Sequence, residues 1–287
     1  MLTSAISVII PAYNEESDIA ACLDALLGLD EPVHEVLVID NNSTDGTAAI
    51  AESYARQSPT VRLITERQQG ALHAAARGVR EATGDLIAKI DADTVVSPQW
   101  TAAIRRFFDA VPPDVAGGSG LCSMHDMPAQ WLFRSAQARF TAKLQAGMRE
   151  GSITEMADTF GANCVMRASV WADIAPHTST RDDIQDDLDI GITVVDQGWR
   201  LAWVPGMDAR ISGRRLCTTP VSYWKYTART PRTFRMHGRR RQWFGSLVGI
   251  QFARLAQALA WPVLAFWDPR DRSFAISPRR EEQRVLP

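Results

Sequence analysis

The sequence predicts an α/β fold in which helices cover both faces of a mostly parallel β-sheet. Short apolar runs alternate with helical stretches through about the first hundred residues, and within each run polar residues do not alternate with apolar ones. Such continuous runs are typical of strands buried on both faces. The composition, 46% hydrophobic and 22% charged residues in a chain of 287, is that of a folded globular protein and excludes a disordered one.

The elements of this first part follow one another in strict alternation. Strands are predicted at 6–10, 36–39, 61–64 and 86–90. Helices are predicted between them, at 17–27, 47–56 and 71–82, and Asp45-Gly46-Thr47 is a start signal for the second. Strand–helix–strand order predicts parallel neighbours with crossover helices on both faces.

The pattern changes after Val111, where Pro112-Pro113 and the glycines of 117–120 mark loops. A helix is predicted at 130–149, a strand with its turn at 159–166, and a further strand at 198–205. Internal repeats and low-complexity linkers are absent from the sequence. We therefore expect one domain over residues 1–210, followed by an extension over 211–287.

Polar residues follow three of the predicted strands at the point where each ends. These clusters are Tyr13-Asn14-Glu15-Glu16, Asp40-Asn41-Asn42-Ser43 and Asp91-Ala92-Asp93. Each cluster alone is compatible with an ordinary loop or helix cap. Ligands of open α/β sheets bind outside the carboxyl ends of the strands, so the three clusters together predict a site at that edge.

Asp91-Ala92-Asp93 places two carboxylates two residues apart on a turn. Mg²⁺ and Mn²⁺ are commonly bound by one or two carboxylates together with substrate phosphates. Such a metal would neutralise charge that develops on a departing diphosphate. The motif is short, and an ordinary loop is the alternative when it is taken alone.

A second acidic cluster has five carboxylates within eight positions, Asp182, Asp183, Asp186, Asp187 and Asp189. One interpretation is a solvated loop that caps the following helix, because acidic residues stabilise a helix N-terminus. The other is catalytic, since a partly desolvated carboxylate can take a proton from a hydroxyl nucleophile. Asp186-Asp187 precedes an apolar segment that could bury one of the two side chains.

Taken in order, these motifs resemble those of family 2 glycosyltransferases over about residues 5–205. The matching segments are Ser7–Glu15, Val38–Thr47, Ala82–Asp93, Asp186–Asp189 and Gly198-Trp199-Arg200. The resemblance implies the nucleotide-sugar-binding fold called GT-A, a divalent metal, Mg²⁺ or Mn²⁺, and inversion at the anomeric carbon. It also divides the domain into a nucleotide-sugar half, about 1–110, and an acceptor half, about 111–210.

The resemblance assigns roles by position. It implies a nucleotide-sugar site lined by Pro11, Tyr13, Glu15, Asp40, Asn41, Asp85 and Asp91. In this site Asp40 and Asn41 would contact the nucleobase, and Asp85 would lie near the floor of the site. Asp93 would bind the metal against the diphosphate, with Asp91 facing the ribose or the metal. Asp187 would be the general base, with Asp186 in place of the family's glutamate. The implied donor is a UDP-, GDP- or dTDP-sugar, and the acceptor is an unidentified hydroxyl on a polysaccharide, lipid-linked or other glycoconjugate.

Three departures from the family pattern qualify these roles. Asn41 stands where many relatives have a second acid, and an amide can still bond to a base. Ala74-Ala75-Ala76 replaces the family's Ala-Arg-Asn, which leaves His73 or Arg77 as candidates for the diphosphate. The Gln-x-x-Arg-Trp signature of polymer synthases is not cleanly present, since 239–243 has a similar composition in another order, and this favours transfer of a single sugar.

The cysteines and the N-terminus predict a reducing compartment. Cys22, Cys122, Cys164 and Cys217 are far apart and form no CxxC pair, which excludes a disulfide framework and a zinc site. Met1–Pro11 has no basic region, and its apolar run is too short for a signal peptide. We expect a cytoplasmic protein, and a location at the inner face of the cell membrane is compatible with this expectation.

The formal net charge of -2 conceals a strongly basic C-terminal part. Between Arg210 and Trp267 there is no Asp or Glu, and arginines are interleaved there with aromatic residues. A basic, aromatic surface is suited to an anionic membrane or a phosphate-bearing acceptor. The sequence has no RNA-binding signature, and we expect no nucleic-acid partner.

Residues 245–267 form an apolar segment with three open interpretations. Gln251, Arg254 and Gln257 recur every three residues and predict one narrow polar stripe on a helix. The helix could lie in the membrane surface, pack on the domain or a partner, or span a bilayer. A central Arg254 makes a span costly, and Pro262 would kink it.

Two alternative functions remain to be weighed. A nucleotide-binding oxidoreductase would need Gly-x-Gly-x-x-Gly after the first strand, where this chain has Pro11-Ala-Tyr-Asn-Glu15. A non-catalytic relative that binds nucleotides at a membrane would not require Asp91, Asp93 and Asp187, all of which are present.

Overall fold

The strands and helices of the first hundred residues lie where the sequence predicts them. The computed structural model describes residues 4–128, 130–157, 159, 161–269 and 271–277. Its strands are β1 (Ile6–Ala12), β2 (Glu35–Asp40), β3 (Val61–Thr65), β4 (Leu86–Ile90), β5 (Val95–Val96), β6 (Val115–Ser119), β7 (Cys122–Met124), β8 (Glu155–Met156), β9 (Asn163–Arg167), β10 (Arg200–Trp203), β11 (Ala209–Ile211), β12 (Trp267–Asp268) and β13 (Ser273–Phe274).

Helices connect and cover these strands. They are α1 (Ile19–Leu27), α2 (Thr47–Gln57), α3 (Ala71–Glu81), α4 (Trp100–Ala110), α5 (Gln130–Arg149), α6 (Ala168–Ile174), α7 (Asp186–Asp196), α8 (Pro220–Thr227), α9 (Arg229–Met236) and α10 (Arg240–Leu264), with a 3₁₀ helix at Arg214–Cys217.

One eight-stranded sheet, in the order β3-β2-β1-β4-β9-β6-β10-β8, forms the centre of the molecule. The first four strands in this order are parallel, as are β6 and β10, whereas β9 is antiparallel to both of its neighbours. A smaller sheet, β5-β11-β7, lies beside it. The mostly parallel sheet confirms the predicted fold class.

Successive residues of the central strands face opposite layers of core. Val8 and Ile10 of β1 pack with residues of α1 and α4, whereas Ile9 packs with residues of α3 and α6 on the other face. All three side chains are fully buried, and each contributes about 1.5–3 kcal/mol of hydrophobic free energy. Burial on both faces explains why these strands have continuous apolar runs.

One glycine sets how closely α3 approaches the sheet. A Cβ on Gly78 would lie 3.0 Å from side-chain atoms of Ile9, tighter than ordinary van der Waals contact. The absence of a side chain therefore lets the helix backbone rest directly on the strand.

The C-terminal part folds into α8, α9 and α10, which pack against one another and, through α9, against α7. All four cysteines are free thiols, as the sequence predicts.

Candidate active site and C-terminal surface

The three polar clusters predicted from the strand ends meet at one edge of the sheet. β1 lies between β2 and β4 and is parallel to both, so the carboxyl ends of all three strands point the same way. Ala12 pairs with Asp40 at the last position of the ladder. The loops that follow β1, β2 and β4 therefore surround a common space.

Side-chain hydrogen bonds join the loop after β1 to the loop after β2. Asn14 adopts a left-handed conformation with φ 54°, which asparagine tolerates better than most residues, and its Oδ1 accepts from the amide of Thr44 at 2.8 Å. The amide of Glu15 donates to Thr47 Oγ1 at 2.7 Å, and Glu16 Oε2 accepts from the amide of Gly46 at 2.8 Å. These contacts fix the two loops relative to each other.

Asp40 has an unused acceptor in the interior of this edge. Asp40 is buried at the end of β2, and its Oδ1 has no hydrogen-bond partner among the residues that the structure describes. A buried polar atom without a partner is costly, so this oxygen is suited to accept from a ligand.

The hydrogen bonds of Asn41 differ from the prediction that its side chain would contact the nucleobase. Its Nδ2 donates to the carbonyls of Glu66 and Gln68 at 2.9 and 2.7 Å, and its Oδ1 accepts from Gly70 at 2.7 Å and Gln69 at 3.4 Å. Both donors and both lone pairs of the amide are thus occupied. Asn41 organises the β3–α3 loop instead of offering a group to a ligand.

Pro11 and Tyr13 lie at and just after the end of β1, and both are half-buried at the edge where the loops meet. The prediction for Asp85 was wrong. Asp85 precedes β4, whereas Asp91 follows it, and six residues along a strand correspond to about 20 Å. Asp85 is exposed there, and its Oδ2 accepts from the amide of Ala5 at 3.0 Å.

The two carboxylates after β4 have contrasting environments. The side chain of Asp91 is 53% exposed, while that of Asp93 is only 11% exposed. Asp93 Oδ2 lies 2.9 Å from Nη2 of Arg214, at the start of the 3₁₀ helix. The same guanidinium lies 2.7 Å from Glu15 and 2.8 Å from Asp18.

Burial raises the pKa of Asp93 to about 7, and the carboxylates of Asp91, Glu15 and Asp18 add to the shift, although Arg214 opposes it. Three carboxylates, those of Asp93, Glu15 and Asp18, thus contact a single guanidinium. The excess negative charge and the hard oxygen donors of Asp91 and Asp93 fit Mg²⁺ or Mn²⁺. Among the described residues, no three His, Cys, Asp or Glu side chains are placed to bind a metal by themselves, so ligands from a bound phosphate would be needed.

The second acidic cluster forms the first turn of α7, which begins at Asp186. Asp187 Oδ1 accepts from Nζ of Lys89 at 3.2 Å, and its backbone carbonyl accepts from Thr159 Oγ1 at 3.0 Å. Lys89 is buried in β4, also donates to the carbonyl of Gly161 at 3.2 Å, and lies 3.8 Å from Asp91 Oδ1. One ammonium group therefore lies between the two acidic clusters.

Asp187 has the electrostatics of a general base. Its side chain is 22% exposed, and burial raises its pKa to about 7, with Asp186 adding to the shift and Lys89 opposing it. A base that titrates near neutral pH is suited to deprotonate a hydroxyl. A Cβ on Gly161 would overlap the Asp187 carboxylate, so glycine at this position is what admits that side chain.

Asp186 faces an open cavity instead of the interior. The cavity lies between the start of α3, including His73, and the segment that precedes α7. Arg77, the other candidate for the diphosphate, forms an ion pair with Glu81 on its own helix at 2.9 Å. His73 therefore lines the same cavity as Asp186, whereas Arg77 is paired with Glu81 in this structure.

Sequence reasoning missed three residues of this site. Lys89 could have been noticed, because it is the charged residue within the apolar run 86–90. Arg214 was indistinguishable from the other arginines of a basic segment, since about 120 residues separate it from Asp93 and no local pattern connects them. Gly161 became meaningful only when the position of Asp187 was known.

The C-terminal helix α10 shows the opposite of normal amphipathicity. Two polar side chains in its second half face the protein: Gln257 is buried and donates to the carbonyl of Thr218 at 2.8 Å, and Arg254 donates to Thr227 Oγ1 at 2.8 Å. Its exposed side chains are apolar and recur every three or four residues, namely Phe244, Val248, Phe252, Leu255, Leu259 and Val263. Gln251, the third member of the predicted polar stripe, is exposed.

We call the exposed apolar residues of α10 the apolar ridge. Of the helices in the described part of the chain, α10 has the length and composition to cross a bilayer. Exposed cations lie in α8, in α9 and at the start of α10, at Lys225, Arg232, Arg235, Arg240 and Arg241.

Comparison with known proteins identifies relatives of this chain. The family model described as glycosyl transferase family 2 matches residues 7–171. The uncharacterized glycosyltransferase YibD of Escherichia coli K12 is 40% identical over 132 residues, which are 46% of this chain and 36% of that protein. The chain thus matches about a third of the length of this curated relative.

Two solved structures share the fold. Mannosyltransferase PcManGT of Pyrobaculum calidifontis, in complex with GDP-Man and Mn²⁺, has a TM-score of 0.62 at 16% identity and covers 92% of this chain and 75% of that one. GalNAc-T7 with UDP, GalNAc and Mn²⁺ has a TM-score of 0.57 at 13% identity and covers 73% of this chain and 43% of that one. The GT-A fold implied by the sequence is confirmed.

Proposed function

Because the chain belongs to glycosyl transferase family 2, we propose that it transfers one sugar from a nucleotide-diphosphate sugar to an acceptor hydroxyl. The main support is the position of Lys89, 3.2 Å from Asp187 and 3.8 Å from Asp91. A carboxylate suited to a donor's metal and a carboxylate suited to an acceptor's proton thus lie on two sides of one buried cation.

The donor would bind at the edge formed by the loops after β1, β2 and β4. Asp40 Oδ1 is unpartnered among the described residues and is suited to an N–H of the nucleobase. Half-buried Tyr13 directly follows Ala12, the residue that pairs with Asp40. Solved proteins of this fold were determined with GDP-Man or UDP, which supports a UDP-, GDP- or dTDP-sugar as donor.

Asp93, with Asp91, would bind Mg²⁺ or Mn²⁺. When bound, the metal supplies charge neutralisation for the diphosphate leaving group. The two structural neighbours both contain Mn²⁺, which supports this assignment without deciding between the two ions.

Asp187 acts as the general base in this proposal. It removes the proton of an acceptor hydroxyl, whose oxygen attacks the anomeric carbon while the bond to the diphosphate breaks. The new bond forms on the face opposite the departing group, so the anomeric configuration inverts. Asp186, which lines the adjoining cavity, is placed to orient the acceptor.

The test is release of nucleoside diphosphate from a panel of UDP-, GDP- and dTDP-sugars with Mn²⁺, Mg²⁺ or EDTA. We expect slow metal-dependent turnover of one donor by the wild-type chain and none by the Asp93→Ala variant. If turnover requires an acceptor, no diphosphate is released in this assay. Calorimetry then measures whether free nucleoside diphosphates bind in a metal-dependent way. Absence of both turnover and binding would disprove the proposal.

The alternative considered from the sequence is a non-catalytic nucleotide-binding protein on the same fold. Asp187→Asn separates the two candidates. If the chain is a transferase, this variant keeps metal-dependent diphosphate binding and loses turnover. Once an acceptor is identified, proton NMR of the product checks the inverted anomeric linkage.

For the C-terminal part, we propose that residues 1–210 form the catalytic domain and that the extension, 211–287, contacts an anionic membrane surface. The apolar ridge would enter the lipid interface, and its neighbouring cations would meet acidic head groups. Arg254 and Gln257 bond to α8 and to the 3₁₀ segment, which keeps one side of α10 on the domain and favours an in-plane helix over a span.

Vesicle sedimentation tests this proposal with the full chain. We expect binding to vesicles containing phosphatidylglycerol, weaker binding to pure phosphatidylcholine, and loss of binding for Phe252→Glu and Leu259→Glu. Leu27→Glu, the same change at an exposed leucine of α1, is the matched control. Retained binding by both ridge variants, or a concentration-dependent dimer that buries the ridge, would contradict the proposal.

A further inference from the structure

Arg214 connects the C-terminal extension to the proposed metal site. It is the first residue of the 3₁₀ helix, just after β11, yet its side chain reaches the loop after β4. Its side chain is 26% exposed, so most of it lies inside the site.

The guanidinium makes three ion pairs at close range. Nη2 lies 2.7 Å from Glu15 Oε1 and 2.9 Å from Asp93 Oδ2, while Nη1 lies 2.8 Å from Asp18 Oδ2. Arginine suits this position because its planar donors can contact several carboxylates at once. In the ligand-free chain, Arg214 is therefore a counter-ion of Asp93.

A divalent metal on Asp93 would compete with this arrangement. Arg214 donates toward the same carboxylate that a metal would coordinate, and two cations within a few ångströms of each other repel. Metal alone must therefore displace a charge-assisted contact without a new partner for the guanidinium. A nucleoside diphosphate supplies that partner, because phosphate oxygens accept bidentate bonds from arginine.

We propose that Arg214 occupies Asp93 in the free protein and moves to the donor's diphosphate when the metal binds, so that metal and nucleotide bind as a pair. This inference rests on the proposed donor site. It assigns a positioning role to a residue outside the segment that matches the family model. The same exchange would keep the site from taking up Mn²⁺ when no donor is present.

The experiment measures Mn²⁺ binding from the electron paramagnetic resonance signal of free Mn²⁺, with and without UDP, GDP or dTDP. The quantity compared is the coupling factor, the ratio of the Mn²⁺ Kd without nucleotide to the Kd with it. We expect Arg214→Gln to bind Mn²⁺ alone about tenfold more tightly than wild type and to lower the coupling factor at least about tenfold.

Arg215→Gln is the matched control, with the same loss of charge one residue away. Arg215 lies over the ring of Tyr226, 4.0 Å from its centroid, and we expect its variant to keep the wild-type coupling factor. If Arg214→Gln is unfolded by circular dichroism, Arg214→Lys replaces it. A point-like ammonium cannot contact all three carboxylates, so this variant also binds Mn²⁺ alone more tightly.

An unchanged coupling factor in the folded Arg214 variant would overturn the Arg214 proposal and leave the donor site intact. A wild-type chain that binds Mn²⁺ no better with any of the three nucleotides would overturn both. The two failures are distinguishable because the second is measured on the wild type.

Discussion

Asp93 and Asp187 are both buried carboxyl groups with a raised pKa, but the cations beside them lie in different parts of the molecule. Burial raises the pKa of each carboxyl to about 7, and one cation opposes the shift in each case. For Asp187 the cation is Lys89, in a buried central strand. For Asp93 it is Arg214, on a 3₁₀ segment outside the large sheet.

The difference lies in how replaceable each cation is. Lys89 lies in β4 and its side chain is only 5% exposed, so we infer that it is a fixed counter-ion. Arg214 is on a long side chain at the edge of the site, and it can exchange one anion for another. We infer that a fixed cation suits a base whose proton affinity must stay constant, and a movable one suits a carboxylate that must accept a metal.

The largest expected effect comes from removing each carboxylate separately. Asp187→Asn should lower kcat about 10³-fold, because the acceptor hydroxyl loses its proposed base, while Mn²⁺-dependent diphosphate binding persists. Asp93→Asn should abolish that binding. Turnover and calorimetry on both variants test the contrast, and it would be refuted if Asp187→Asn lost binding to the same extent as Asp93→Asn.

Gly161→Ala should have the next largest effect. The added Cβ would overlap the Asp187 carboxylate and displace it by about 1 Å, which can cost about 10²-fold in kcat. Gly249→Ala is the control, because a Cβ there meets nothing within 4 Å. Steady-state rates decide the matter, and an unchanged kcat in Gly161→Ala would show that Asp187 is not held as described.

The pH dependence tests the fixed cation. A base with a pKa of about 7 is active when deprotonated, so kcat/KM should fall as the pH is lowered through 7. Lys89→Met removes the cation that lowers this pKa, and the acid limb should move to higher pH by about one unit or more. Lys89→Arg keeps the charge and should keep the limb close to its wild-type position. If the acid limb of the pH profile does not move in Lys89→Met, Lys89 does not control the pKa of the base.

The smallest effect is expected at an uncharged hydrogen bond between the C-terminal extension and the segment that precedes Asp187. The amide of Gln185, just before α7, donates to Thr233 Oγ1 at 2.8 Å, and Thr233 is fully buried in α9. Thr233→Val leaves that amide unpaired and should lower the free energy of unfolding by about 1–2 kcal/mol in urea denaturation. The kcat should change far less than in Gly161→Ala, and a larger loss would mean that α9 positions the base.

The strands and helices of the first hundred residues could be predicted because each is specified locally. Apolar runs, a start signal such as Asp45-Gly46-Thr47 and polar strand ends all lie within a few residues of the elements they determine. The edge at which Asp40, Asp91 and Asp93 meet followed from parallel order alone.

The rest of the site depends on contacts between distant segments. Asp85 was placed wrongly because a motif records order along the chain and not the end of the strand at which a residue lies. Asn41 was expected to face a ligand, and the loop at 66–70 takes all of its hydrogen bonds. Arg214 and Asp93 are far apart in sequence, and only the path of the chain after β11 brings them together.

The orientation of α10 also determines how the proposed active site would be directed relative to a membrane. Because Arg254 and Gln257 attach the helix to α8 and to the 3₁₀ segment that begins with Arg214, the apolar ridge has a set direction relative to the proposed catalytic edge. On a bilayer, that edge would open at one fixed height above the lipid. An acceptor anchored in the membrane would then reach it by diffusion in two dimensions.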